Sequence, residues 1–325
     1  MMQTIWVTGA TGFLGGRVVE DLLESGHTVI ASGRQAHALD RLQKKGARTL
    51  AFDLADPTPP DLPAVDAVVH CAALSSPWGR YADFHRANVI GTRSALKLAR
   101  QAGAQRFVHI STPSVYFRFR DQLDVHETQP LPSPVNAYAA TKARAEQEVL
   151  AQEALDPVIL RPRGLYGRGD TALLPRLMAA ARERPLPLMN KGETVTDLTH
   201  VDDVVSAVRA ALDLAPAPTQ RLFNISGGEA LKLKSVTEEA GRRAGVPVRW
   251  RPVPSWAALT YARGLETIAR ISPGYPEPRI TAYGVGLFAY SQTLDISAAR
   301  EVLGWTPRIN IQEGLGRTFC EDTDG

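Results

Sequence analysis

Short apolar runs alternate with longer amphipathic stretches through the first 160 residues of the chain. Uninterrupted apolar runs are typical of parallel strands buried on both faces, and the stretches between them are long enough for crossover helices. The alternation therefore predicts an α/β fold, a doubly wound parallel sheet with helices on both faces. The six predicted strands are 5–7, 28–32, 48–52, 67–71, 106–110 and 157–160, and the predicted helices include 13–25, 35–45 and 82–102.

The second half of the chain loses this regularity and becomes rich in proline, tyrosine and glycine, above all over 272–290. Such a composition favours loops and short elements. We expect a dinucleotide-binding Rossmann domain over 1–165 and a smaller substrate-binding domain. Residues 201–225 predict one more helix and strand that return to the first domain, so the second domain is interleaved and consists of 166–200 and 226–325.

The composition is that of an ordinary globular protein, with 325 residues, 44% hydrophobic and 22% charged. The formal net charge of +3 is too small to indicate a nucleic-acid partner. No apolar run approaches the roughly 18 residues of a membrane span, and no spacing typical of metal ligands is present. With Cys71 and Cys320 as the only cysteines, we expect reduced thiols in a cytoplasmic protein that is neither exported nor membrane-spanning.

A glycine-rich turn from Thr8 to Gly15 joins the first predicted strand to the first predicted helix. In such turns Gly9 allows the tight bend, Gly12 lets the backbone approach a pyrophosphate, and Gly15 lets the helix pack close to the strand. The free N–H groups and the dipole at the start of a helix favour an anion. The turn therefore predicts a dinucleotide cofactor.

Tyr138 and Lys142 are four residues apart and share one face of a predicted helix. A nearby ammonium stabilises a phenolate, so we expect Lys142 to lower the pKa of Tyr138 and to suit it for proton transfer. Thr112 follows the strand 106–110, where its hydroxyl can donate a hydrogen bond to a substrate carbonyl oxygen. Together with the glycine turn, these three residues predict hydride transfer from a nicotinamide.

These motifs and several others resemble the extended short-chain dehydrogenase/reductases of the NAD-dependent epimerase/dehydratase family. The likeness extends over nearly the whole chain. The motifs are Thr8–Gly15, the Tyr138/Lys142 pair, 88–92, Arg161-Pro162 with Tyr166-Gly167, 200–203, 303–307 and 313–315.

The resemblance implies an NAD(P)-dependent enzyme that acts on CH–OH groups. It implies that Tyr138 donates or accepts a proton, that Lys142 holds the nicotinamide ribose and that Asn88 supports the active-site helix, although an ordinary structural asparagine is an alternative. A homodimer through the helices near 82–102 and 135–154 is also implied. The candidate cofactor-binding residues are Gly9, Thr11, Gly12, Phe13, Leu14, Gly15, Arg34, Asp53, Leu54, Ala72, Ala73, Tyr138, Lys142 and Arg161.

The substrate class is narrowed by residues that this chain lacks. Dehydratases of the family carry an Asp-Glu pair where this chain has Pro113-Ser114, and nucleotide-sugar epimerases carry an asparagine and a phosphate-binding arginine at the positions of Gly164 and Thr196. The loss of charge-assisted phosphate contacts argues against a nucleotide sugar. Segments 75–79 and 111–116 instead resemble the 3β-hydroxysteroid dehydrogenase-like branch, including 2-alkyl-3-oxoalkanoate reductases, which implies a small hydrophobic ketone or alcohol. The candidate catalytic and substrate-binding residues are Thr112, Tyr138, Lys142, Asn88, Trp78, Ser114 and Arg163.

Cofactor choice depends on the residue that follows the second strand. NAD-preferring relatives usually carry an acid there, whereas this chain has Gly33 followed by Arg34. An arginine binds a 2′-phosphate, and the alternatives are stacking on the adenine or pointing to solvent. We therefore expect NADP(H) in preference to NAD(H), with Asp53 near the adenine.

Three functions remain open from the sequence. They are an NADP(H)-dependent ketone reductase or alcohol dehydrogenase, an NAD-dependent nucleotide-sugar epimerase, and a non-enzymatic dinucleotide sensor.

Two C-terminal patterns also remain open, because each is compatible with either the core or an apolar pocket. They are the helical repeat of Trp256, Leu259, Leu265, Ile268 and Ile271, and the aromatic set Tyr275, Tyr283, Phe288 and Tyr290. Residues 117–120 predict a half-buried strand or a flap over the site.

Overall fold

A parallel sheet of seven strands lies at the centre of the structure, a computed structural model that describes residues 2–319. The strands of the whole structure, in chain order, are β1 Thr4–Thr8, β2 Thr28–Gly33, β3 Arg48–Ala51, β4 Ala67–His70, β5 Arg106–Ile110, β6 Gln122–Val125, β7 Pro157–Pro162, β8 Leu165–Tyr166, β9 Leu186–Leu188, β10 Val195–Thr196, β11 Thr199–His200, β12 Leu222–Ile225, β13 Leu231–Lys232, β14 Trp250–Pro252 and β15 Gln292–Leu294. The order in the central sheet is β12-β7-β5-β4-β1-β2-β3, so all six predicted strands are present and β12 is the seventh. The order reverses between β1 and β4, which is where ligands bind in sheets of this type.

Helices cover both faces of the central sheet, as the sequence predicts. Residues of α1 and α7 pack on one face and residues of α4 and α5 on the other. The helices of the structure, in chain order, are α1 Phe13–Glu24, α2 Ala36–Lys44, α3 Tyr81–Phe84, α4 Gly91–Gln101, α5 Ala137–Leu150, α6 Leu174–Glu183, α7 Val201–Asp213, α8 Leu233–Arg243, α9 Ser255–Ile271, α10 Ala282–Ala289, α11 Ser297–Glu301 and α12 Ile311–Phe319. Within residues 2–319, none of them is both long enough and apolar enough to cross a membrane.

Alternate side chains of the strands enter two hydrophobic cores, one on each face of the sheet. Ile5 and Val7 of β1 pack in the same core as residues of α1 and α7. Trp6, between them, packs in the other core with residues of α4 and α5. This two-sided burial explains why the strands appear in the sequence as continuous apolar runs.

The predicted helix 82–102 is interrupted. It consists of α3, a π-helical segment His85–Ile90, and α4. The hydrogen bonds of a π-helical segment span one residue more than those of an α-helix, and such segments often occur at functional sites. Here it carries Asn88.

The C-terminal region forms smaller sheets that also include the first half of the chain. β6 pairs with β15, and β15 and β13 both pair with β10. The predicted division into domains at residue 165 stays a prediction, and this sheet shows that the two parts share hydrogen-bonded strands. Residues 117–120 are neither helix nor strand, so the expected strand there is wrong and the strand is β6 instead.

The C-terminal apolar patterns divide between several environments. Leu259 of α9 is buried, but Trp256 and Ile271 are 73% and 81% exposed, so these two neither enter the core nor line a closed pocket. Phe288 and Tyr290 pack against a small core. The two remaining aromatic side chains, Tyr275 and Tyr283, lie beside the candidate active site described below.

Candidate active site

The glycine-rich turn after β1 has the close packing that the sequence predicts. Gly9 adopts a φ of +63°, and a Cβ added there would lie 2.7 Å from the Ala72 nitrogen. A Cβ added at Gly15 would lie 2.2 Å from the Gly9 oxygen. Helix α1 follows Gly12 with no side-chain cap and no acidic residue in its first turn. The turn therefore accepts only glycine at Gly9 and Gly15 and leaves the helix N-terminus open to an anion.

The ends of β2 and β3 lie beside this turn. A Cβ added at Gly33 would lie 2.8 Å from the Thr11 side chain, so a larger residue would displace Thr11. Arg34 is exposed and lies close enough to Asp53 to contribute to lowering the pKa of that carboxyl. Arg34 and Asp53 thus meet at one rim of the sheet.

Asp53 has a partner that sequence reasoning missed. Arg86 Nη1 lies 2.9 Å from the Asp53 carboxylate, and Arg86 Nη2 lies 3.2 Å from that of Asp56. Burial raises the pKa of Asp53, but the Ala55 N–H and Arg86 outweigh it, so this pKa lies below its usual range. The only sequence signal is a basic residue on the helix that follows β4, which is too common to predict a pair.

Tyr138 lies in the first turn of α5, whose N-cap is Asn136. The Asn136 Oδ1 accepts a hydrogen bond of 2.8 Å from the Ala139 N–H. The polar side chains of Ser75 and Thr112 favour the ionised form of the Tyr138 phenol, but desolvation outweighs both and raises its pKa. The expectation that Lys142 lowers this pKa is therefore wrong.

Lys142 extends to the end of β5 instead of lying along the phenol. Its Nζ donates to the Ile110 carbonyl at 2.7 Å and lies 3.0 Å from His109 Nε2. Burial lowers the pKa of Lys142 to about 8, although the nearby Glu146 carboxylate raises it. Burial and the Lys142 charge hold the pKa of His109 well below its usual value, so the neutral ring accepts from Lys142.

Asn88 connects the loop after β4 to α5. Its Oδ1 accepts from the Leu74 N–H at 2.7 Å, and its Nδ2 donates to the Leu74 carbonyl and the Thr141 hydroxyl, each at 3.1 Å. The side chain is buried. These contacts with Leu74 and Thr141 fit a residue that supports the active-site helix. They do not include Tyr138 or Lys142.

Thr112 belongs to a chain of hydroxyl groups that reaches α10. Its Oγ1 donates to Ser114 Oγ at 3.0 Å, and Ser114 Oγ lies 2.7 Å from the Tyr283 hydroxyl. Thr112 and Ser114 are thus brought together as predicted. Tyr283 is 169 residues from Ser114 in the chain, which is why the sequence left open whether it lies in the core or in a pocket.

Arg161 in β7 and Arg163 just after it are both buried, and both donate hydrogen bonds to other protein groups. Arg161 forms a bidentate ion pair with Glu146, with N–O distances of 2.8 and 2.5 Å, and also donates to Tyr116. Its side chain is thus held by protein groups, and its predicted role as a cofactor contact stays a prediction. Arg163 is 7% exposed and donates to Gln292 at 2.6 Å and to Thr196 at 3.1 Å.

The other candidate cofactor contacts lie around the turn. Leu14 and Leu54 are buried, so their main chains are the parts left to face a ligand, whereas Ala73 is exposed. A Cβ added at Gly169 would lie 3.6 Å from the Phe13 ring, which places Phe13 beside the loop after β8.

A cavity of about 290 Å³ is lined by Asn136, Ala137 and Ala140, the neighbours of Tyr138 in the chain, but not by Tyr138 itself. Phe84, whose ring lies 6.3 Å from that of Tyr138, forms part of its wall. Trp78 stacks on Tyr275 at 4.9 Å, and both rings line the same cavity. The lining also includes Pro77, Tyr81, Val135, Asn136, Ala137, Ala140, Glu266, Arg270, Ala282 and Tyr283.

Cys71, beside this region, has a free thiol whose pKa burial raises to about 12. Cys320 lies outside the described residues. Within residues 2–319, no group of three or more His, Cys, Asp or Glu side chains is arranged to hold a metal ion.

The model of the NAD dependent epimerase/dehydratase family matches residues 5–226. The chain belongs to this family. A 2-alkyl-3-oxoalkanoate reductase of Stenotrophomonas maltophilia is 34% identical over 96% of this chain and 97% of that protein. A 4-hydroxy-2-methyl-3-oxo-4-farnesyl-3,4-dihydroquinoline-1-oxide ketoreductase of Stigmatella aurantiaca is 32% identical over 95% of this chain and 94% of that protein. Among solved structures, MoeE5 in complex with UDP-glucuronic acid and NAD is 26% identical, covers 97% of both chains and has a TM-score of 0.74.

Membership of the epimerase/dehydratase family confirms the resemblance that the motifs indicate, and the central sheet confirms the Rossmann fold. The similarity to reductases confirms the likeness to the 3β-hydroxysteroid dehydrogenase-like branch. The protein is an NAD(P)-dependent oxidoreductase of this family that acts on CH–OH groups.

Proposed function

We propose that the protein is an NADP(H)-dependent ketoreductase that interconverts a ketone and a secondary alcohol on a hydrophobic 3-oxo acyl or steroid-like substrate. The Tyr138 phenol carries the proposal, because its ring lies 6.3 Å from that of Phe84 in the cavity wall, the Ser75 and Thr112 side chains act on it, and desolvation raises its pKa. A phenol that keeps its proton at neutral pH can donate it to the oxygen of a ketone undergoing reduction.

The residues around the glycine turn fit a dinucleotide. The turn has no room for a Cβ at Gly9 or Gly15, and the first N–H groups of α1 lack a side-chain cap. When bound, the nicotinamide supplies the hydride for the carbonyl carbon. Gly33 has no side chain at the position where an acid would repel a 2′-phosphate, and the exposed Arg34 follows it, which supports NADP(H).

The chain's own residues then have distinct roles. Tyr138 donates the proton, and Thr112 orients the same carbonyl oxygen, which requires its hydroxyl to turn from Ser114 to the substrate. Lys142 is oriented by the Ile110 carbonyl and His109 and keeps one N–H for a ribose hydroxyl. Asn88 keeps α5 in register with the loop after β4.

Two features support an apolar substrate. The cavity beside Tyr138 has walls of Phe84, Val135 and Ala140, among other apolar groups. Relatives that cover nearly the whole chain include a 2-alkyl-3-oxoalkanoate reductase and a farnesyl-quinoline oxide ketoreductase. A cytoplasmic location and a homodimer through α4 and α5 accompany the proposal as predictions from the same resemblance.

Nucleotide-sugar epimerisation is the second candidate, and Arg163 is the observation that favours it. Position 196 lacks the phosphate-binding arginine, but the Arg163 guanidinium lies against the Thr196 hydroxyl. The loop after β7 thus places a cation next to that position. Its burial and its bonds to Gln292 and Thr196 oppose a phosphate contact, so we rank this function below ketone reduction.

A cofactor-dependent activity screen separates the two functions. NADPH oxidation is followed with long-chain 3-oxo acids, steroid ketones and UDP-glucose as alternative substrates. The proposal predicts turnover of the apolar ketones, no reaction of UDP-glucose, and no NAD retained by the purified protein. Tightly retained NAD together with UDP binding would favour the epimerase.

A further inference from the structure

Tyr283, at the start of α10, forms the far end of a hydroxyl chain that begins at Thr112. Thr112 Oγ1 lies 3.0 Å from Ser114 Oγ, and Ser114 Oγ lies 2.7 Å from the Tyr283 hydroxyl. Thr112 and Ser114 are 8% and 7% exposed, so water has little access to replace either link. The Tyr283 phenol is thus connected to the residue that orients the substrate oxygen in the proposed function.

The packing of α10 holds the Tyr283 hydroxyl in place. The Ala282 N–H, in the first turn of α10, donates to the Glu266 carboxylate of α9 at 2.7 Å. A Cβ added at Gly286 would lie 2.7 Å from the Phe117 ring, so α10 approaches this ring as closely as a glycine allows. The Tyr283 ring packs edge-on against Phe117 at 5.1 Å. These contacts fix Tyr283 relative to the segment that follows Thr112.

The direction of the hydrogen bonds decides whether Thr112 can serve a substrate. A hydroxyl group carries one hydrogen and can accept from two donors. In the resting structure the Thr112 hydroxyl donates to Ser114 Oγ and accepts from the Ser114 N–H at 3.1 Å. For Thr112 to donate to a carbonyl oxygen, the Ser114 hydroxyl must donate to Thr112 instead. Ser114 Oγ is then an acceptor without a donor unless Tyr283 supplies one.

The Tyr283 hydroxyl is suited to be this donor. It lies 2.7 Å from Ser114 Oγ, where either oxygen can donate. A phenol is more acidic than an aliphatic alcohol and is therefore the stronger donor of the two. Aligned hydrogen bonds in a shielded chain polarise one another. A chain that runs from Tyr283 through Ser114 to Thr112 thus leaves the Thr112 hydrogen free and strengthens it as a donor.

We propose that Tyr283 is a positioning residue for ketone reduction, which donates to Ser114 and thereby turns the Thr112 hydroxyl toward the substrate oxygen. This inference rests on the proposed ketoreductase function and adds a residue of α10 to its machinery. The proton of the reduction still comes from Tyr138. The bond from Thr112 strengthens as negative charge develops on the oxygen, so loss of the Tyr283 hydroxyl should slow turnover more than it weakens substrate binding.

Two substitutions each remove one hydroxyl from the chain. Tyr283→Phe keeps the ring that packs against Phe117. Ser114→Ala keeps the backbone N–H that donates to Thr112. Tyr261→Phe is the matched control, because it removes a phenolic hydroxyl from α9 at a residue that is 62% exposed. Thermal unfolding midpoints establish that each variant is folded.

The readout is a double-mutant cycle on turnover. NADPH oxidation with 3-oxotetradecanoate is measured for the wild type, the two single variants and the double variant. Each single variant should lower kcat about tenfold, with KM for the ketone and for NADPH within about twofold of the wild type. The double variant should be no slower than either single variant, because the hydroxyl chain is already broken. Tyr261→Phe should match the wild type.

The outcomes separate this inference from the proposed function. Losses that multiply to about a hundredfold in the double variant would show that Tyr283 and Ser114 act independently and would overturn the inference. An unchanged kcat in Tyr283→Phe, or a loss confined to KM, would overturn it as well, and ketone reduction would stay intact in each case. A wild-type enzyme that reduces neither 3-oxotetradecanoate nor steroid ketones would instead remove the proposed function.

Discussion

The Lys142 ammonium lies 3.0 Å from Nε2 of a neutral His109 ring and thereby connects α5 to the end of β5. This contact explains why the four-residue spacing of Tyr138 and Lys142 does not make them direct neighbours. A lysine side chain is long enough to extend past the phenol to the next strand. The same burial that shields this contact lowers the pKa of Lys142 to about 8.

We expect the pH profile to report this pKa. Lys142 is charged below about pH 8 and loses its proton above it, so kcat/KM should fall as the pH rises through that region. In Lys142→Arg the group stays charged, and this limb should move to higher pH even if the maximal rate is reduced. The measurement is steady-state kinetics over about pH 6–10, a range that covers the ordinary pKa values of His and Lys. If kcat/KM of Lys142→Arg falls at the same pH as that of the wild type, the titrating group is not Lys142.

The proton donor is tested by removing its hydroxyl. Tyr138→Phe should lower kcat by at least about 10²-fold, the usual contribution of general acid catalysis, with cofactor binding nearly intact. Lys142→Ala should weaken both turnover and cofactor binding, and Thr112→Ser should be tolerated because the hydroxyl is kept. Turnover and fluorescence titration of the cofactor separate these effects. Full activity in Tyr138→Phe would show that Tyr138 is not the proton donor.

Cofactor preference is tested at Arg34. Arg34→Ala should weaken NADPH binding about tenfold and leave NADH unchanged, because a charge-assisted bond to the 2′-phosphate is lost. The measurement is the ratio of kcat/KM for the two cofactors. Arg41→Ala is the control, since Arg41 is an exposed arginine on the neighbouring α2. An unchanged ratio in Arg34→Ala means that this residue does not contact the phosphate.

The buried pair of Arg161 and Glu146 is expected to matter for stability. Glu146→Gln leaves a buried guanidinium without its carboxylate and should lower the free energy of unfolding by about 3–5 kcal/mol. Replacing both residues with leucine should recover part of this loss, because no unpaired charge remains. Urea unfolding followed by circular dichroism measures both. A loss below about 1 kcal/mol for Glu146→Gln would place the pair among weak surface-like contacts.

The fold was predictable from the sequence wherever the burial of an element is visible as a pattern of apolar residues. Strands such as Ala67–His70 are buried on both faces and therefore appear as apolar runs. The π-helical segment His85–Ile90 was not predictable, because its apolar positions also fit an α-helix. The exposed Trp256 and Ile271 follow a helical repeat without being buried, so periodicity alone misassigned them.

For the site, local motifs were readable and long-range partners were not. The glycine turn and the helix with Tyr138 and Lys142 depend on neighbours in sequence. The Ser114–Tyr283 and Arg163–Thr196 contacts depend on how distant strands and helices pack. The direction of the Tyr138 pKa shift also required the structure, because it is decided by desolvation.

The activity that we propose for this enzyme is the reduction of ketones with a large apolar part. The most direct measurement is kcat/KM with NADPH for a series of 3-oxo acids of increasing chain length, with UDP-glucose as comparison. The account predicts a gain of about 0.8 kcal/mol, roughly fourfold, for each added methylene until the pocket is full. It also predicts that UDP-glucose neither binds nor reacts. A series without any gain, or saturable inhibition by UDP at micromolar concentration, would contradict the account and make the epimerase the better assignment.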